Sequence, residues 1–85
     1  MAVTSVASTT TQTLLLAVNT ARNGVIIQND DANDLYVLLD SSTASADNYS
    51  FSLAEGENAL VPGYVGEIRG LWAGDGSGKA RITEF

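Results

Sequence analysis

Eighty-five residues make one domain near the lower limit of unaided folding. Cysteine and histidine are both absent, which excludes disulfides and thiol chemistry and removes the commonest metal ligand and general base. Four basic residues against ten acidic ones, a net charge of −6, argue against nucleic acid and an anionic membrane surface as partners. The expectation is a chain with no cofactor, no nucleic acid and no membrane, and with self-association as the remaining way to enlarge a thin core.

Ser, Thr and Val supply 23 of the 85 residues, which favours strands because β-branched side chains pack well on a pleat. Gly and Asn/Asp pairs interrupt the chain at short intervals. That pattern predicts an all-β domain over residues 1–85, a small antiparallel sandwich of about seven to eight short strands. Val3–Ala7 is a first strand, in a segment 1–10 that also reads as a flexible arm. Thr11–Val18 is the second, with a polar start and an apolar end. Gly24–Asn29 is the third, built on Val25, Ile26 and Ile27. Leu35–Leu39 is the fourth, and it is apolar on both faces: Leu35, Val37 and Leu39 on one, Tyr36 and Leu38 on the other. Such a strand needs two coverings, its own core and a partner chain. Tyr49–Leu53 alternates cleanly, so Tyr49, Phe51 and Leu53 are expected inside. A short Ala59–Val61 strand ends at Pro62, which has no N–H for a ladder.

Glu67–Ala73 and Lys79–Phe85 read as a final hairpin joined by G-D-G-S-G (74–78). Symmetric pairing would set Trp72 opposite Ala80 and Gly70 opposite Ile82, with Gly70 leaving room for the indole. Glu67, Arg69, Arg81 and Thr83 would take the solvated face. The polar stretch 41–48 is the expected mobile loop. No apolar run exceeds five residues, as in Leu14–Val18, so no membrane-spanning segment is read. The first residues, M-A-V-T-S-V-A-S, lack a basic and an apolar region of secretory type, so synthesis in the cytoplasm is expected.

Few side-chain groupings could carry chemistry. The acidic turn N-D-D-A-N-D (29–34) offers Asp30, Asp31 and Asp34 as calcium ligands, but it departs from the EF-hand spacing. A hairpin turn explains the same residues, since Asn and Asp bond their own backbone. G-D-G-S-G lacks the Lys-Ser/Thr and helix of a phosphate loop. Glu55 and Glu57 lie in a turn, and a thin sandwich has little volume for a two-carboxylate cleft. Ser and Thr have no histidine to activate them. No catalytic residue is therefore assigned. Trp72 and Tyr49 read as core, whereas Tyr36, Leu38 and Tyr64 are the interface candidates. Arg22 precedes the most hydrophobic strand and reads as a structural clamp on backbone carbonyls or on a carboxylate such as Asp34 or Asp40.

The segments N-T-A-R-N-G-V-I-I-Q-N (19–29), D-L-Y-V-L-L (34–39), S-L-A-E-G-E (52–57), P-G-Y-V-G-E-I-R-G-L-W-A (62–73) and A-R-I-T-E-F (80–85) resemble small virion proteins of tailed bacteriophages and head proteins of gene transfer agents. The resemblance covers most of the chain from about Thr11 and consists of packing and turn motifs. It implies a β-sandwich or jelly-roll-like fold and a structural place in a virion, made in the cytoplasm of a bacterial host. The expected function is a capsid decoration (cement) protein, grouped as a homotrimer, with the major capsid protein or other virion proteins as partners. The alternative is a head-spike or fibre base, or a tail component that binds something else, glycans included. The resemblance supplies no catalytic residues.

Overall fold

The computed structural model describes residues 2–85. Eight strands follow one another: β1 (Ala2–Ala7), β2 (Thr13–Leu16), β3 (Gly24–Asp30), β4 (Leu35–Leu38), β5 (Phe51–Leu53), β6 (Asn58–Pro62), β7 (Ile68–Trp72) and β8 (Lys79–Glu84). They form two antiparallel four-stranded sheets, ordered β1-β8-β3-β6 and β2-β7-β4-β5. Only the β4–β5 connection stays within one sheet; every other one crosses between sheets. The pairs β1·β8, β2·β7, β3·β6 and β4·β5 are those of one long hairpin rolled on itself, the jelly-roll arrangement.

This topology corrects both hairpins expected from the sequence. β3 and β4 lie in different sheets, so 31–34 is a corner. β7 and β8 do also, and 73–78 is a second corner. Gly70 therefore lies between Thr13 and Val37, and Trp72 lies opposite Leu35. A Cβ at Gly70 would meet the Tyr36 carbonyl at 2.8 Å and a Leu15 methyl at 2.9 Å, so its bareness serves those neighbours and not the indole. Alternation still assigns the faces: on the side opposite Arg69 and Arg81, Ile68, Trp72, Ala80 and Ile82 are all buried. They meet across the sandwich instead of along a hairpin.

Alternation explains the layers. Val25 and Ile27 point inward from β3 and are fully buried, while Ile26 points out. Leu15, Leu35, Val37 and Leu53 join them from the other sheet to make one core. The Cα framework measures 33 × 23 × 16 Å. Two sheets stack about 10 Å apart, so this thickness holds a single interdigitated layer of side chains. Each aliphatic side chain buried there contributes about 1.5–3 kcal/mol relative to exposure.

Three boundaries differ from the expected ones. Residues 2–7 are paired along their length with β8, so this part of the arm is a sheet edge. β2 starts at Thr13, and its register shifts between Leu14 and Leu16. β5 starts only at Phe51, which leaves Tyr49 outside the strand and 43% exposed; it is not core. The 41–48 segment carries a Ser45–Asn48 bridge, and Asn48 Nδ2 donates to the Thr43 carbonyl at 2.8 Å.

Candidate interaction surfaces

Arg22 lies just before β3, its side chain wholly buried. Nη1 donates to the carbonyls of Tyr64 and Gly66 at 3.0 and 3.1 Å, and Nη2 to that of Ala17 at 2.7 Å. Nε donates to Glu84 Oε2 at 2.8 Å. The acid partner is Glu84 at the end of β8, not Asp34 or Asp40. A planar five-donor group suits this task, because two connections, β2–β3 and β6–β7, turn three carbonyls inward where β-ladders end. The Arg22 bond holds the Glu84 carboxyl below its ordinary pKa. A shallow depression of about 300 Å³ lies beside the pair, lined by Ala2, Asn19, Ala21, Arg22, Glu84 and Phe85. Its two charged residues are already each other's partners.

The other end of β3 carries a polar node that the sequence did not reveal. Asn29 is fully buried. Its Oδ1 accepts from the Trp72 indole N–H at 2.9 Å, and its Nδ2 donates to the carbonyls of Asn33 and Leu53 at 2.8 and 2.9 Å. One amide thus joins β3 to β5 and β7 of the opposite sheet. The sequence signal was slight: an Asn closing the inward series Val25, Ile27.

Beside it, Asp31 accepts from the N–H of Asn33 at 3.0 Å and of Gly78 at 2.8 Å. The Asn33 N–H leads in holding the Asp31 pKa below its ordinary value, against the opposing effect of burial. The buried Ser8 hydroxyl lacks a partner of regular geometry, yet it helps to lower that pKa. The three proposed calcium ligands are therefore not assembled. Asp31 is spent on its loop, Asp30 pairs with Arg81 at 2.9 Å, and Asp34 is exposed. Among the described residues no group of three acidic side chains is placed to hold a metal. Glu57 closes its own turn by accepting from the Ala54 N–H, while Glu55 is exposed.

The three interface candidates separate. Leu38 is buried, at 6% exposure, so this chain itself supplies the outer covering expected of a partner. Ala44, in the 39–50 connection, is also buried outside the main core. The same connection is tied down where Leu39 N–H donates to Ser50 Oγ and Ser50 N–H to the Val37 carbonyl. Tyr64 is half-buried against the core, and its hydroxyl donates to the Glu67 carbonyl at 2.7 Å. Burial, then the Asp40 charge, raises its pKa. Its carbonyl and hydroxyl are thus both bonded within the chain, at the Arg22 end. Tyr36 is the candidate whose ring packs against an exposed aromatic. It sits half-buried on the outer face of the β2-β7-β4-β5 sheet, in register with Leu71, and its ring packs against Tyr49 at 4.8 Å and 49°. Leu14, 45% exposed, adds to that face. Arg69 lies between Leu14 and Leu38, bonded to Glu67 and Gln12.

The outer face of the other sheet has one apolar row. Val3, Thr83, Ile26 and Leu60 lie opposite one another on successive strands, and Val3 and Leu60 are largely exposed. The next row, Ser5, Arg81, Gln28 and Asn58, is polar. No protein-family model matches the chain, and no match is found among curated proteins or among solved structures.

Proposed function

We propose that this chain is a structural protein of a tailed-phage particle, a decoration protein that binds the outer capsid surface and stabilises the head. The observation that carries the reading is the Tyr36–Tyr49 pair, with Leu71 and Leu14, on the outer face of one sheet. Aromatic side chains are enriched in interface cores, where a large rigid surface is buried at small entropic cost. Many copies on one shell would gain avidity from individually weak contacts. The sequence resemblance supports the same reading. Jelly-roll domains serve in capsids and in lectins alike, so the fold does not choose between them. The activity is adhesion, with no chemical step.

The test is co-sedimentation with capsids of the phage that encodes it. The native protein should pellet with them, and Tyr36→Ser/Tyr49→Ser should reduce the bound fraction at least tenfold. Equal binding by the double variant, or none by the native protein, would sink the proposal. Exposed Tyr49 also supports a second reading, a spike, fibre or tail component that stacks on a sugar ring. Glycan-array binding lost in Tyr49→Ser, with label found away from the capsid shell in electron micrographs, would favour it.

A further inference from the structure

Each sheet has two edges, and three of the four are blunted. β5 has three residues, β6 ends in Pro62, and β2 has an irregular register. These are the devices that keep strand edges from pairing. β1 has none of them: A-V-T-S-V-A is regular, exposed and free of charge and proline. The other edge strands are uncharged too, so what sets β1 apart is its length and regular register, and a second copy meets no like charge on it.

The backbone fixes how such a copy would fit. Antiparallel strands alternate between residues that bond a neighbour and residues that turn away. Phe85 and Gly24 exchange both bonds, at 2.9 and 3.0 Å, so odd residues of β8 face β3. On the other side Ser8 N–H donates to the Gly78 carbonyl at 3.0 Å, in step with the β1·β8 register. Even residues of β1 therefore face β8. Val3, Ser5 and Ala7 direct their N–H and C=O groups outward, three donors and three acceptors. Their side chains share the outer face with Thr83, Arg81 and Lys79.

We infer that β1 pairs with β1 of a second copy across a two-fold axis at Ser5. In that register Ser5 lies opposite Ser5, and Val3 opposite Ala7. All six outward groups are then satisfied, and outer faces stay aligned. A shift to Thr4 on the axis would satisfy four. The product is a continuous eight-stranded sheet with a closed interface. Arg81 flanks the axis on each side, and each is already paired with its own Asp30. A three-fold ring, as the resemblance suggests, would need β1 to join a blunted edge. One paired strand covers less than the roughly 1,200 Å² of tight interfaces, so the dimer forms in a concentration-dependent way.

The chain has no cysteine, so introduced thiols report register cleanly. Sedimentation equilibrium of the full chain should show the mass rising with concentration from 8.9 kDa toward twice that value. Ser5→Pro removes an outward N–H without touching the β8 ladder, and Ser5→Lys places two charges on the axis. Both should remain monomeric with native circular dichroism, and the Lys variant serves if the Pro variant misfolds. Ser5→Cys should cross-link on oxidation or with a short bis-thiol reagent, its Cα atoms about 5.5 Å apart. Val3→Cys should not, because its copies lie about 14 Å apart. A monomer at every concentration, a trimer, a dimer indifferent to Ser5→Lys, or cross-linking of Val3→Cys would overturn the pairing. The inference rests on the sheet edge alone. Monomers that still bind capsids would defeat it and leave the decoration reading intact.

Discussion

The two ends of β3 solve one problem with opposite chemistry. Before β3, the Arg22 cation collects inward-facing carbonyls of three residues and one carboxylate. After β3, the Asp31 anion collects two backbone N–H groups and the Asn33 amide, and the neutral Asn29 takes an indole N–H and gives to two carbonyls. Each end closes loops that cross between sheets, where ladder bonds stop and backbone groups would be left dry. The contrast teaches how a small sandwich without disulfides ties its layers together. The donors and acceptors that the crossings leave over determine which side chain each end needs.

The largest expected effect breaks the charged end. Arg22→Ala leaves Glu84 and three carbonyls unpartnered, at a cost of about 3–5 kcal/mol. A domain of this size has roughly 4–13 kcal/mol of stability in all, so the variant approaches unfolding at ambient temperature. Asn29→Ala strands one indole N–H and two carbonyls that are less strongly polar, and should cost about 2–3 kcal/mol. Urea denaturation of both variants measures the order. An Asn29→Ala loss equal to or above that of Arg22→Ala would show that charge does not separate the two ends. Arg22→Lys should recover only part of the loss, since an ammonium cannot reproduce the planar fork.

How far these ends were legible differs for a physical reason. Arg22 stood out because a cation before an apolar strand must bond something, but its acid partner lies 62 residues away. Asn29 looked like the polar end of a strand, since its burial is decided by Trp72 across the sandwich. Face alternation along β3, β7 and β8 was readable because it is local. Which strand pairs with which was not. Asn, Asp and Gly make the same turn chemistry whether the chain returns within its sheet or crosses to the other. The loops 31–34 and 73–78 therefore carry hairpin signals although each crosses between sheets. Tyr49 shares the parity of Phe51 and Leu53 but precedes the start of β5 by two residues, where alternation no longer assigns a face. Leu38, on the outer face, is buried by its own chain, and the long-range packing that does this has no periodic signature in the sequence.

A smaller effect separates the ends by their glycines. Gly78 lies against the Asp30 carbonyl and the Asp31 backbone, where an added Cβ would sit 2.7 Å from Asp31 Cα. Gly78→Ala must push the two corners apart, for a cost of about 1–3 kcal/mol. Gly63, near the Arg22 end, has open space around it and a φ of +77°. Gly63→Ala meets no atom and carries only the left-handed penalty of about 1–2 kcal/mol. Gly63→Asn should regain most of that, because Asn tolerates this conformation, whereas Gly78→Asn should not. Thermal melts of the four variants decide it. Rescue of Gly78 by Asn would mean that its corner is conformationally demanding and not crowded.

The mildest test is acid. Asp31 and Glu84 both have folded pKa values below their ordinary 3.8 and 4.5. Their stabilisation is complete above those ordinary values. It declines as pH falls below them, where the unfolded chain takes up protons first, and it is gone below the folded values. Asp40, lowered mainly by the Ser41 N–H, adds to the same acid limb. The melting temperature should therefore be flat from neutral pH to about 5 and fall below that. The cause differs at the two ends. Glu84 is held down by a charged partner and is itself partly exposed, so salt should weaken its share. Asp31 is held down by short bonds from neutral N–H groups, so its share should persist in salt. Glu84→Gln should then remove the salt-sensitive part of the acid limb, and Asp31→Asn the salt-resistant part. If both variants removed the same part, the two ends would not differ electrostatically, and the contrast between a clamped cation and a clamped anion would reduce to hydrogen-bond count.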